Sequence, residues 1–198
     1  MVIGITVNEV LRDFIGQFTY TYKKYIDNEF DLKEGDVKTF DLLDYFKFDS
    51  KFDMNKFLYT NAALEIFGHA DQTHDNIANH LNMFLMDMED EEEHEVIIIS
   101  REFDKSIPST LFFLSKLGCK MSNIQFVKNH EDKWDYVDML VTANPIAIKN
   151  KPEGKISVKV KSSYNEGVES DYEIDSILDF IGETETRELI LNNENINE

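Results

Sequence analysis

Histidines and acids crowd one stretch of this sequence, with His69-Ala70-Asp71, His74-Asp75 and His80 falling within twelve residues. Imidazole and carboxylate are common ligands of transition metals. Their spacings match no compact ligand pattern such as His-x-x-x-His on one helical turn, so a polar helix and loop surface is expected instead. Cys119 follows Gly118 with no histidine nearby in sequence. A thiol with no adjacent histidine to take its proton is unreactive by default, and an inert buried side chain is the expectation. The eight glycines are scattered and build no phosphate-cradling loop. Seven of the nine residues from Asp87 to Glu95 are acidic. That run reads as a solvated face, a candidate hinge, or a surface that docks on a basic partner.

The elements that would position any chemistry follow from hydrophobic patterning. Val2-Ile3-Gly4-Ile5-Thr6-Val7 is β-branched and apolar on both faces, as a strand inside a parallel sheet is. Helical spacing predicts a helix over about 10–29. Shorter helices are predicted over 41–46, 54–67 and 76–88, the last carrying Ile77, Leu81, Phe84, Leu85 and Met88 on one stripe. Val96-Ile97-Ile98-Ile99-Ser100 is a second buried strand. A helix from Ser106 is expected to stop at Gly118. Strands at 124–127 and 139–141 and a short helix at 134–137 follow. Lys155-Ile156-Ser157-Val158-Lys159-Val160-Lys161 alternates, so it reads as a strand near a sheet edge with its lysines outward. A last helix is predicted over 174–181. Strands alternating with helices imply an α/β sandwich with a mostly parallel sheet. In such a sheet the site lies beyond the carboxyl ends of the strands.

Composition narrows the function classes. A chain of 198 residues with 42% hydrophobic residues, 15 Phe and 8 Tyr can bury a sizeable core. The net charge is −19, and a field of that sign repels phosphate backbones and anionic headgroups at long range. Nucleic acid and membrane surfaces are therefore not expected as partners. A single cysteine suits a reducing compartment. The longest apolar run, Val96 to Ile99, is too short to span a bilayer, and the opening residues lack a basic region of the kind that begins a signal peptide.

Four segments taken in order resemble the motifs of the haloacid dehalogenase (HAD) superfamily of phosphatases. They are Ile3-Gly4-Ile5-Thr6-Val7-Asn8-Glu9-Val10-Leu11-Arg12-Asp13-Phe14, which includes the first strand, Ile97-Ile98-Ile99-Ser100, Lys133 in Asp132-Lys133-Trp134-Asp135, and Asp138-Met139-Leu140-Val141-Thr142-Ala143-Asn144-Pro145. The resemblance covers roughly residues 1–162. It implies a Rossmann-like HAD sandwich with a core of residues 1–30 and 89–182, a helical cap inserted over 31–88, and an acidic tail at 183–198. In that family a first Asp is the nucleophile and a second is the general acid/base, and the matching positions here are Thr6 and Asn8. A threonine with no adjacent base is a poor nucleophile, and an amide exchanges no proton near neutral pH. Thr142 and Ala143 stand where an acidic pair helps hold magnesium, a hard dication that needs anionic oxygens. No catalytic residue, metal or other cofactor is therefore expected. Ser100 and Lys133, which in the family hold phosphoryl oxygens, are candidates to bind an anion. Glu9 or Asp13 would replace a missing carboxylate only with a shifted backbone.

The expectation is a non-catalytic HAD-like structural subunit of a multi-chain assembly, with a magnesium-dependent phosphohydrolase or a phosphate- or nucleotide-binding module as the alternatives. The Lys/Asn/Ile/Asp/Phe-rich usage is also similar to HAD-like proteins of crAss-like bacteriophages. That likeness implies a homo-oligomeric ring between portal and tail, located in the virion or host cytoplasm.

Overall fold

The computed structural model describes residues 1–91 and 94–192. Six strands form one sheet in the order β3-β2-β1-β4-β5-β6: β1 Val2–Thr6, β2 Glu95–Arg101, β3 Ile124–Val127, β4 Met139–Thr142, β5 Ile156–Val160 and β6 Tyr172–Ile174. Every pairing is parallel, and helices cover both faces. This is a Rossmann-like α/β sandwich, as the alternation of elements predicts. The helices are α1 Phe14–Tyr25, α2 Lys51–Lys56, α3 Ile77–Glu91, α4 Ser106–Lys116, α5 Pro145–Lys149, α6 Leu178–Ile181 and α7 Thr184–Leu191.

Alternate residues of the central strands feed two different cores, which is why these segments read as unbroken apolar runs. Ile3, Ile5, Val96, Ile98, Met139 and Val141 pack with Leu81, Phe84 and Met88 of α3 and with Phe180 and Ile190. Ile97, Ile99 and Leu140 pack on the other face with Trp134, Val137 and Ala147. Gly4 sits where a β-carbon would meet Val137 Cγ1 at 2.6 Å. The closeness of that layer, not a turn, requires glycine there.

A third core is aromatic and lies in the helical part. Phe18 of α1 stacks on Phe46 with ring centroids 4.0 Å apart, among Phe14, Tyr22, Met54, Leu58, Ile66 and Phe67. In packing terms α1 joins residues 30–67, whereas α3 belongs to the core of the sheet.

Several local expectations are corrected. The first helix begins at Phe14, because residues 7–12 form a tight turn in which Leu11 N and Arg12 N both donate to the Val7 carbonyl and Glu9 takes φ 59°. Asp13 then caps α1 by accepting from Gly16 N. The segments 41–46 and 54–67 break into a 3₁₀ turn, Leu42–Asp44, the short helix α2, and two π-helical turns, Phe57–Asn61 and Leu64–Gly68. The helix expected at 134–137 is a 3₁₀ turn over Glu131–Asp135. The 155–161 strand lies near the sheet edge as expected, with β6 paired outside it, but its lysines do not all face outward. Lys159 is buried, its ammonium bonded to the Val168 carbonyl at 2.6 Å and to the Glu173 carboxylate. Ile174 belongs to β6, so the helix expected over 174–181 shrinks to α6. Part of the expected acidic tail is helical: α7 buries Ile190, and residues 193–198 lie outside the described residues. The acidic run ends α3, with residues 92 and 93 again outside them. No described helix is long and apolar enough to cross a membrane.

Candidate functional site

After β1 the chain crosses to β2 on one side, and it later returns to β4 on the other. The crevice beyond the carboxyl ends of β1 and β4 is thus the switch point where an open parallel sheet places its ligands. Thr6 ends β1 and Thr142 ends β4, and both are buried. Thr6 Oγ1 lies 3.1 Å from Thr142 Oγ1 and 3.3 Å from the Val141 carbonyl, so its single proton is spent between the strands. Thr142 Oγ1 also accepts from Asn144 N at 3.1 Å. Ala143 is buried and presents only backbone, its carbonyl accepting from Asn165 Nδ2 at 3.0 Å.

Asn8 is the centre of a polar knot whose largest member is Arg12. That arginine has no solvent exposure. Its Nε and Nη2 both donate to Asn8 Oδ1, the former at 2.9 Å. Nη1 donates to the Phe67 carbonyl and to Thr110 Oγ1, each at 2.8 Å, and Nη2 donates to Glu102 Oε1 at 2.8 Å. All five guanidinium protons are thereby used. The group lies between the rings of Phe67 and Phe113. Burial lowers its pKa, and the Glu102 carboxylate opposes that shift. Glu102 Oε1 accepts in addition from Ser100 Oγ and Thr110 Oγ1, both at 3.1 Å. Glu102 Oε2 is buried without a hydrogen-bond partner among the described residues.

The two anion candidates are therefore placed differently from one another, and neither lines the cleft. The Ser100 hydroxyl is turned into the knot. Lys133, buried rather than exposed in a charged turn, puts Nζ 3.4 Å from His130 Nδ1. Burial, reinforced by repulsion from Arg101, lowers the Lys133 pKa to about 8. Asn144 Oδ1 caps α5 by accepting from Ile146 N and Ala147 N. That fixes the amide so that Nδ2 faces His130 Nδ1 at 2.8 Å. Since an amide nitrogen only donates, Nδ1 is the acceptor and the ring proton sits on Nε2. Burial, with Lys133, Arg101 and Lys51 repelling a second proton, lowers the His130 pKa to about 3.

Above these residues a cleft of about 460 Å³ opens between the strand ends and the helical part. Asn8, Glu9, Arg101, His130 and Asn144 line it from the strand ends, and Phe40, Lys51, Leu58 and Tyr59 from the helical part. Lys149 and Tyr164 close the side. Tyr59 stands on a π-helical turn, a local widening often found at functional sites. Glu9, Ile15, Val37 and Tyr164 also border a second cleft of about 470 Å³ that holds Asp13, His74, Lys161 and Asp175. Glu9 and Asp13 do not substitute for strand-end carboxylates: Glu9 Oε1 accepts from Ile15 N at 2.8 Å, and Asp13 caps the same helix.

The donor set does not suit magnesium. Thr6, Asn8, Thr142 and Ala143 supply no anionic oxygen, and the one side-chain oxygen of Asn8 faces a guanidinium. Among the described residues no three His, Cys, Asp or Glu side chains gather as a metal cage. The His69 ring instead packs edge-on against Phe112, with centroids 5.4 Å apart. The Cys119 thiol is partly buried, and burial raises its pKa, which keeps it protonated.

Patterning does not reveal Arg12, Glu102, Arg101, His130, Lys51 or Lys149 as parts of this region. The one available signal is Arg12 itself, a charge set in Val10-Leu11-Arg12 directly after a strand. No family model matches the chain, and no curated protein matches it.

Proposed function

We propose that this protein is a catalytically silent α/β protein of the HAD type that works as a protein-binding subunit of a multi-chain assembly. The observation that carries the reading is the Arg12–Asn8–Glu102 knot. At the position where a HAD phosphatase needs a proton-transferring carboxylate stands an amide whose oxygen is bound by a fully buried cation. A metal dication and a guanidinium compete for the same oxygen, and the guanidinium is covalently part of the chain.

The strand order supports the HAD resemblance, because β1 is central and its two neighbours, β2 and β4, carry two of the other three matched segments. A surface role is supported by apolar side chains left in solvent. Leu64, Leu111 and Phe112 are all exposed, and Leu64 and Phe112 approach each other around Gly68. Copies that each carry −19 repel, so a ring of this chain needs salt screening or a basic partner between copies. A virion ring between portal and tail is the assembly that the sequence likeness suggests.

Two measurements test the reading. Purified protein is expected to show no magnesium-dependent hydrolysis of p-nitrophenyl phosphate, and turnover abolished by a chelator overturns catalytic silence. Sedimentation across protein and salt concentration is expected to show self-association that strengthens with salt. A monomer throughout, also in the presence of its co-purifying proteins, overturns the assembly role.

A further inference from the structure

The geometry points to a phosphate-ligand site in the cleft, built from Arg101, Lys51 and Lys149 rather than from Ser100 and Lys133. Its occupant is an organic phosphate carrying a flat ring, about a mononucleotide in size, that is retained without being hydrolysed and pins the helical part to the sheet.

The cations that line the cleft are available in a way that the buried ones are not. Arg101 donates through Nε to the Lys128 carbonyl at 3.0 Å and through Nη1 to Tyr59 Oη at 3.3 Å, and its guanidinium stacks on the Phe103 ring at 4.3 Å. These contacts hold the plane while Nη2 makes no hydrogen bond to any described residue. An arginine held at two of its nitrogens with the third unused is suited to a planar or tetrahedral oxyanion. Lys51 from α2 and Lys149 from α5 line the same space. Neither has a carboxylate within ion-pair distance among the described residues. The two acids on the cleft wall are each tied to a backbone N–H, Glu9 to Ile15 N and Asp41 to Leu43 N.

Arg101 and Lys51 line the cleft together with His130, and with the buried Lys133 they repel a second proton on its ring. A positive pocket in a chain of −19 focuses a local field against the sign of the whole. The same wall is aromatic. Phe40 meets His130 edge-on at 5.4 Å and Tyr164 at 5.7 Å between centroids, which provides a surface for a ring next to the charged end. Lys51 belongs to the helical part and Arg101 and Lys149 to the sheet side, so one bound phosphate links the two. The absence of strand-end carboxylates leaves nothing to cleave it.

The test is calorimetric titration of the full chain with inorganic phosphate, adenosine monophosphate and adenosine at matched ionic strength. Adenosine monophosphate is expected to bind in roughly the micromolar to low-millimolar range, phosphate more weakly and adenosine more weakly still. Arg101→Gln is expected to weaken the nucleotide about tenfold or more, and Lys51→Gln and Lys149→Gln by smaller factors each. Lys120→Gln, whose exposed side chain does not line the cleft, leaves affinity unchanged. Equal melting temperatures establish that the variants are folded. Bound nucleotide is also expected to raise the melting temperature of the unmodified chain and to shift the His130 ring signals by NMR as the anion offsets the surrounding cations. No heat with nucleotide or phosphate at about 10 mM, or affinity that is the same in Arg101→Gln or equally reduced in Lys120→Gln, overturns the site. Hydrolysis of the nucleotide would overturn the catalytic silence argued above while leaving the binding site standing.

Discussion

Two arginines lie near the same edge of the sheet and have opposite fates. Arg12 is sealed away with all five donors spent on Asn8, Glu102, Thr110 and the Phe67 carbonyl. Arg101 is braced through Nε by Lys128 and through Nη1 by Tyr59, and it lines the cleft. The first arrangement makes a charge part of the fold, and the second makes a charge part of the surface. The region that the sequence singles out as chemically special is thus the one whose polar groups are bound to one another. The residues open to a ligand lie just beyond it.

The sharpest way to break this contrast is to remove Arg12. Arg12→Met leaves Glu102 buried without its cation, and breaking one half of a sealed ion pair costs about 3–5 kcal/mol. Urea unfolding measures it. Replacing both partners, Arg12→Met with Glu102→Leu, is expected to recover much of that loss, because the unpaired charge and not the lost attraction dominates. A loss in the single variant under about 1 kcal/mol would mean that water reaches Glu102 and that the knot is open.

The sheet beneath the knot gives the next effect. Gly4→Ala brings a β-carbon to 2.6 Å from Val137 Cγ1 and 3.2 Å from Ile99 Cγ2. Overpacking of this kind costs about 1–3 kcal/mol. It is expected to lower the melting temperature without altering nucleotide affinity, since the cleft lies beyond the strand ends. A parallel loss of affinity in the folded variant would mean that the cleft depends on the sheet more tightly than the contrast allows.

How far the sequence discloses these regions depends on the range of the interactions involved. β1, β2 and β4 are legible because burial on both faces makes their residues uniformly apolar, a local signature. β6 is three residues long, Tyr172-Glu173-Ile174, with no run to detect. Missing it leaves Lys159 looking solvent-facing, although its ammonium is satisfied by the Val168 carbonyl and Glu173. The first helix starts late because Glu9 adopts a left-handed conformation that no propensity assigns to glutamate. In the site, the residue types at Thr6, Asn8, Thr142 and Ala143 are readable, and so is their lack of negative charge. The partner of Arg12 is not readable, since Glu102 is 90 positions away and no pattern links them. Ser100 and Lys133 are identifiable, but their orientation is decided by that same distant pairing and by His130.

Acid separates the two regions by a different route. The folded pKa of His130, about 3, lies below its ordinary value of 6.5. Its contribution to stability is fully present above pH 6.5 and is lost as pH falls toward 3, because the unfolded chain takes up the proton first. Across that window the slope for one proton is about 1.4 kcal/mol per pH unit. Replacing the ring, as in His130→Asn, is expected to flatten this part of the stability profile relative to the parent. An unchanged slope would show that the ring is charged in the folded protein and that the cations around it are screened. Bound phosphate is expected to reduce the slope in the parent by raising the folded pKa.

Lys133 gives the smallest effect, and its sign is the informative part. Its ammonium is buried with His130 Nδ1 at 3.4 Å as its partner, beside the like charge of Arg101. A folded pKa of about 8 against 10.5 means that folding opposes the proton. At pH 7 the folded protein bears that cost in full, and stability rises as pH increases from 8 to 10.5. Lys133→Met keeps the length of the stem and removes the charge, so it is expected to stabilise the protein at pH 7 by about 1–2 kcal/mol and to abolish the rise at alkaline pH. Guanidinium unfolding at pH 7 and pH 10 measures both. Destabilisation at pH 7 would mean that the ammonium is held by Glu102, placing Lys133 with Arg12 in the closed region instead of behind the wall of the open one.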